Sequence, residues 1–112
     1  MKKLLLALLF LPFISFSQSI PGEGLIVVEF NAPFSNSKCE YLGDLEDCDV
    51  VKIDISKNTK LQGKHKIASV PTLIIFYDGE EKGRFQANIM MELEATKEEV
   101  QEKIEEIIME DF

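Results

Sequence analysis

The 112-residue chain has no tryptophan, one histidine and two cysteines, and these shortages narrow its chemistry. Cys39 and Cys48 stand nine positions apart with His65 further along, which matches none of the paired-doublet zinc spacings. No metal site and no cofactor are expected. No serine or cysteine has a histidine and an acid close by in sequence, so no catalytic triad is indicated by spacing. Basic residues are also scarce. Twelve Lys and Arg face twenty Asp and Glu, for a net charge of −8, and no basic cluster offsets the acidity. Such a body repels phosphate backbones and anionic head groups, so nucleic acid is not an expected partner.

Long apolar runs are limited to the N-terminus. "MKKLLLALLFLPFISFSQ" has two lysines, an apolar run from Leu4 to Ile14, and small residues at Ser15 and Ser17. This is the three-part pattern of a secretory signal peptide, with cleavage expected after Ser17 or Gln18. The competing reading is a membrane anchor, but the run is broken by Pro12 and falls short of the ~20 residues a spanning helix needs. Removal of residues 1–17 leaves one domain over 18–112, with 10 basic and 20 acidic residues and no membrane span. Export would place both cysteines where a disulfide can persist.

What is present reads as alternating strands and helices. "LIVVEF" at 25–30 is nearly continuously apolar, the pattern of a central strand covered on both faces. A short helix is expected over Lys38–Glu46, with Gly43 weakening its end. "DVVKIDI" at 49–55 alternates as a strand, and 56–67 suggests a polar, exposed helix carrying His65. Asp78-Gly79, between strands at Leu73–Phe76 and Gly83–Ala87, is a hairpin signal. Thr96 followed by Glu99 forms a capping box, and Val100, Ile104, Ile107 and Ile108 then share one helix face. Met90 and Met91 are expected in core or loop packing. The order is β-α-β-α-β-β-α, an α/β fold with a four-stranded mixed sheet and three helices.

At this point the chain resembles the thioredoxin-like superfamily. "VVEFNAPF" resembles the strand and turn before that family's active site, "KIDISKN" its next strand and helix start, and "HKIASVPTLIIFYDGEE" its proline loop and terminal hairpin. The resemblance implies a minimal thioredoxin-like fold from about Leu25 to the C-terminus. It also implies a cis Val70–Pro71 bond, with Val70, Pro71 and Thr72 as a peptide-binding edge. Aligning Phe30 with the family's phenylalanine places Ser35, Asn36, Ser37 and Lys38 where its Cys-x-x-Cys belongs. Glu29 matches the family's buried acid, whose desolvated carboxyl relays protons. The other reading of Glu29 is an acid reaching solvent or pairing with a lysine.

Dithiol exchange needs a thiolate to attack a disulfide and a second thiol to resolve the mixed intermediate, and serine hydroxyls do neither. Cys39 lies one position beyond the family's second cysteine. It is either a reactive thiol near a helix N-terminus or a small buried hydrophobe. Cys48 could pair with it only if Gly43 breaks the helix, because a helical segment would hold the two on the order of 13 Å apart. Two functions follow from different classes. One is an exported binding module without dithiol chemistry, holding a protein or peptide at the proline loop. The other is a divergent thiol–disulfide oxidoreductase using Cys39, alone or with Cys48. A small stabilising subunit of an envelope assembly is a third possibility.

Overall fold

The computed structural model describes residues 20–35 and 39–111, so the signal-peptide segment and Asn36–Lys38 lie outside the described residues. Strand β1 (Leu25–Asn31) leads through the turn to a single 3-10 turn at Leu42–Asp44. Strand β2 (Asp49–Asp54), the short helix α1 (Thr59–Lys64), strands β3 (Thr72–Tyr77) and β4 (Glu80–Gln86), and helix α2 (Lys97–Glu110) follow. The strands lie in the order β2-β1-β3-β4. β1 and β2 are parallel, and β3 is antiparallel to both β1 and β4, which is the mixed sheet the sequence implies.

Period-2 alternation divides β1 between two cores. Leu25 and Val27 join Leu73 and Ile75 beneath the buried face of α2, made of Val100, Ile104 and Ile107. Ile26, Val28 and Phe30 join Ile74 and Phe76 on the opposite face, against Ile53, Ile55, Ile67 and Val70. A strand covered on both sides has little room for polar residues, and Glu29 is the one buried polar residue of β1, Asn31 being half-buried at its end.

Helix α2 starts where its capping box dictates. Thr96 Oγ1 accepts from the Glu99 N–H at 3.1 Å, and Glu99 Oε1 accepts from the Thr96 N–H at 2.9 Å. The β3–β4 hairpin turns at Asp78 and Gly79, both with positive φ, as a two-residue turn that follows the sheet twist requires. β4 begins at Glu80, earlier than the expected Gly83. The pairs Ile75–Gly83 and Phe76–Glu81 leave Lys82 as an extra residue, so a bulge absorbs the offset.

Two expected helices are shorter than their sequence pattern suggests. Of the segment expected as a helix over 38–46, the described residues from Cys39 on contain only the three-residue 3-10 turn, and Asp47 then adopts φ 66°. Gly43 and the lack of a sustained apolar face leave nothing to extend it. The helix expected over 56–67 is confined to six residues, N-capped by Asn58, whose Oδ1 accepts from the Leu61 N–H at 3.2 Å. Among the described residues, no helix is long and apolar enough to cross a membrane.

Candidate functional site

Of the predicted site residues, Glu29 lies in β1, Ser35 in the turn after it, Cys39 and Cys48 on the chain leading to β2, and Val70 and Pro71 in the loop before β3, which Thr72 opens. The turn closes tightly, with the Ser35 N–H donating to the Ala32 carbonyl at 3.0 Å. Phe34 stands out of it, 65% exposed. Asn36, Ser37 and Lys38 are outside the described residues, and the chain is next placed at Cys39.

Cys39 points inward. It is 7% exposed and belongs to the core cluster that holds Leu42, Leu45, Val100 and Ile104. Burial pushes its thiol above the ordinary value of 9.0, and the nearby Glu29 charge pushes the same way. Hydrogen bonding from Tyr41 and the Leu42 amide opposes this only in part. Tyr41 is itself anchored, its hydroxyl donating to the Ala95 carbonyl at 2.6 Å, and burial holds the phenol well above its usual value.

Cys48 packs half-buried against the same cluster. Burial, then repulsion from Asp49 and Asp47, raises its thiol too. Both cysteines are free thiols. The helical spacing that would separate them does not apply, because the intervening chain is not α-helical.

Glu29 lies on the same face of β1 as Val27 and is 3% exposed. It does not reach solvent, and among the described residues no lysine pairs with it. Its Oε2 accepts the Cys39 N–H at 2.9 Å, with the Asn31 Nδ2 amide at 3.5 Å as a longer second contact. A buried backbone donor and a buried carboxylate thus satisfy each other. The acid that the resemblance places beneath a redox pair holds the backbone that follows the turn.

The proline loop is fixed by the core. Val70, Pro71 and Thr72 are buried, and the Val70–Pro71 peptide is cis. Thr72 Oγ1 donates to the Ser69 carbonyl at 2.7 Å, and Ser69 Oγ donates to the Ala87 carbonyl at 3.2 Å. The Ala87 N–H donates to the Pro71 carbonyl at 3.1 Å and ties the loop to the end of β4. Among the described residues, the Val70 N–H and carbonyl take no part in a backbone hydrogen bond. Beside Val70 runs an open groove of about 440 Å³, walled by Phe34, Ile55, Ile67, Val70, Ile89 and Met91. Gln62, Ser69 and Asn88 add polar groups to its lining.

One wall of this groove is the Met90 and Met91 segment expected in core or loop packing, which folds as a turn. Asn88 Oδ1 accepts from the Met90 N–H at 2.8 Å and the Glu92 N–H at 3.1 Å. The Asn88 N–H donates to the Glu92 carbonyl at 2.9 Å, and Asn88 Nδ2 donates to Glu94 Oε2 at 3.0 Å. Met91 is held at φ 61°. Ile89 and Met90 are therefore displayed, 97% and 70% exposed, rather than packed. An asparagine that can bond its own following backbone was the available signal.

His65 is not the exposed histidine expected from its neighbours. Its ring sits half-buried between Phe30 and Phe76, with centroids 5.8 Å and 5.2 Å away. Arg84 Nη2 donates to its carbonyl at 2.8 Å and to Glu81 Oε1, while Arg84 Nε donates to Glu81 Oε2. Burial, then Lys64, lowers its pKa from the ordinary 6.5. Among the described residues, no group of three His, Cys, Asp or Glu side chains could hold a metal ion.

The topology, the proline loop and the buried acid below the turn are now placed, and the thioredoxin family model matches residues 13–106. The chain belongs to the thioredoxin family. It is 34% identical over 68 residues to the thioredoxin of Bacillus subtilis, covering 53% of this chain and 64% of that one. To thioredoxin Y1, chloroplastic, of Arabidopsis thaliana it is 41% identical over 58 residues, covering 52% of this chain and 33% of that one. The match thus spans less than two thirds of either relative. A mutant thioredoxin from Halobacterium salinarum superposes with a TM-score of 0.59 at 23% identity, covering 75% of this chain and 74% of the other. That likeness speaks to the fold alone.

Proposed function

We propose that this thioredoxin-family chain is an exported binding module that holds extended polypeptide at its proline loop and has lost dithiol–disulfide exchange. The observation that carries the second half is the setting of Cys39. Its amide is anchored to Glu29, its thiol is buried in the core, and burial raises its pKa. An attacking thiol needs the opposite setting, accessible and electropositive, so that thiolate forms near neutral pH. Positions 35–38 read Ser-Asn-Ser-Lys and supply no second thiol.

Binding is supported by what the loop still offers. The side chains of Val70, Pro71 and Thr72 serve the core, which leaves backbone groups and the neighbouring groove for a partner. A strand-like segment bonded to main chain, with a side chain in an adjacent pocket, is a recurrent mode of peptide recognition. Export rests on the N-terminal lysines and apolar run. Fractionation of the producing cell tests it, and retention of full-length chain in the cytoplasm would reject it.

A second reading is an oxidoreductase in which Cys39 and Cys48 act together. It is favoured by their packing on one core cluster and by relatives that are thioredoxins. Reduction of a protein disulfide, followed with wild type, Cys39→Ala and Cys48→Ala, separates the two. The binding-module reading expects rates at the uncatalysed background for all three. Turnover by the wild type that either substitution abolishes would establish the second reading.

A further inference from the structure

We infer that His65 is an acid-sensitive latch between the sheet and the segment that runs from α1 into the proline loop. A neutral ring holds the segment down, and a protonated ring releases it. The contact is aromatic. The imidazole lies 5.8 Å from the ring of Phe30 and 5.2 Å from that of Phe76, centroid to centroid, so β1 and β3 meet it with carbon surface. Neither ring gives an imidazolium a hydrogen-bond acceptor, and a charge buried without one is costly.

The segment has few other holds. Helix α1 is six residues long and contributes no buried residue. The amides of Gln62, His65, Lys66 and Ile67 donate to the carbonyls of Asn58, Leu61, Gly63 and Gln62, all within the segment itself. Apolar anchorage comes from Leu61, which is partly buried, and from Ile67 and Val70, which are buried. A segment with few buried contacts opens at lower cost than the core. One group that changes charge at its contact with the sheet therefore has leverage over its docking.

The charges around the ring favour its neutral form. Lys64 from α1, and Arg84 and Glu81 from β4, act on it, while β1 and β3 present the two phenylalanines. Lys66, the next residue, is exposed and adds positive charge beside it in sequence. Arg84 holds Glu81 through two hydrogen bonds and also donates to the His65 and Lys66 carbonyls, at 2.8 Å and 3.3 Å. Glu81 is thus already paired. Burial, then Lys64, keeps the folded pKa below 6.5, with Arg84 acting the same way and Glu81 opposing. Once released, the ring takes its proton at the ordinary value. The latch therefore holds fully above 6.5 and weakens as pH falls from there through the folded value.

His65 is the one histidine of the chain, so its ring signals are unambiguous. The test follows those signals by NMR against pH in the purified protein. Amide exchange of residues 61–67 and of α2 is measured at about pH 7.5 and about pH 5, corrected for intrinsic rates, for wild type and His65→Phe. The ring should titrate below 6.5. Protection of 61–67 should fall severalfold in the acidified wild type, with α2 remaining the better protected. It should stay level in His65→Phe, which keeps an aromatic ring and has no proton to gain. A ring that titrates at or above 6.5 means that the phenylalanines hold the cation, and overturns the inference whatever the variant does. An equal fall in His65→Phe assigns the acid effect to other groups and also overturns it. Exchange of 61–67 no faster than that of α2 at the lower pH makes the loss global, and rejects a latch on this segment.

Discussion

The Cys39 amide donates a 2.9 Å hydrogen bond to the buried carboxylate of Glu29. The two residues lie ten positions apart and span the turn that, in redox members of this family, carries the paired thiols. The bond binds the chain after the turn to the middle strand of the sheet and draws Cys39 into the core instead of leaving it at the surface. Removing the acceptor should reveal a structural role. Glu29→Ala leaves a buried donor unpaired and should cost about 1–3 kcal/mol. Glu29→Gln keeps an oxygen in place and should cost clearly less. Denaturant midpoints measure both, and equal losses would contradict the account.

Alkaline pH should destabilise the fold. The thiol of Cys39 and the phenol of Tyr41 are both raised in the folded state. The unfolded chain therefore releases these protons at lower pH than the native one. Their contribution to stability is fully present below the unfolded thiol value, near 9.0, and is lost as pH rises through the folded values. Unfolding midpoints from neutral pH to above 10 should fall, and Cys39→Ala should flatten the first part of the decline. A decline of unchanged shape in Cys39→Ala would assign it to other groups.

Helix α2 closes one face of the sheet, and its two anchors should differ in cost. Thr96→Ala removes one half of the capping box and should cost about 1 kcal/mol. Ile104→Ala opens a cavity under the sheet and should cost about 2–5 kcal/mol. Thermal or denaturant unfolding of the pair checks the order. The reverse order would place the stability of α2 in its cap rather than its packing.

The hairpin turn has a narrower tolerance. Gly79 sits at φ 86°, where a Cβ is strained whatever the space around it. Gly79→Ala should cost about 1–2 kcal/mol. Loss below a few tenths, seen in the denaturant midpoint, would mean that the turn readily rearranges.

Much of this fold was legible because local chemistry encodes it. The alternation in 25–30, the Asp78-Gly79 pair and the Thr96/Glu99 box each act within a few residues, and each appears where the pattern predicts. Segments whose conformation depends on distant partners were not legible. The chain from Cys39 to Cys48 has residues that could form a helix, but Glu29, ten positions upstream, dictates where its first amide goes. His65 reads as a surface residue among lysines, yet Phe30 and Phe76 come from strands far away in sequence to enclose it. The Asn88 turn escaped because it contains no glycine or proline, and its apolar residues resemble the end of a strand. The groove follows from that turn meeting Phe34, a proximity no single stretch of sequence records.

The most direct test of the central claim is a redox titration of the purified protein. Free thiols are alkylated after equilibration in graded thiol–disulfide buffers, and the adducts are read by intact mass. The account predicts no reversible transition at mild potential, and slow alkylation of Cys39 near neutral pH that becomes rapid once the protein is unfolded. A reversible two-thiol transition, or a stable mixed disulfide on Cys39 in the folded chain, would contradict it and show that the redox chemistry has moved rather than disappeared.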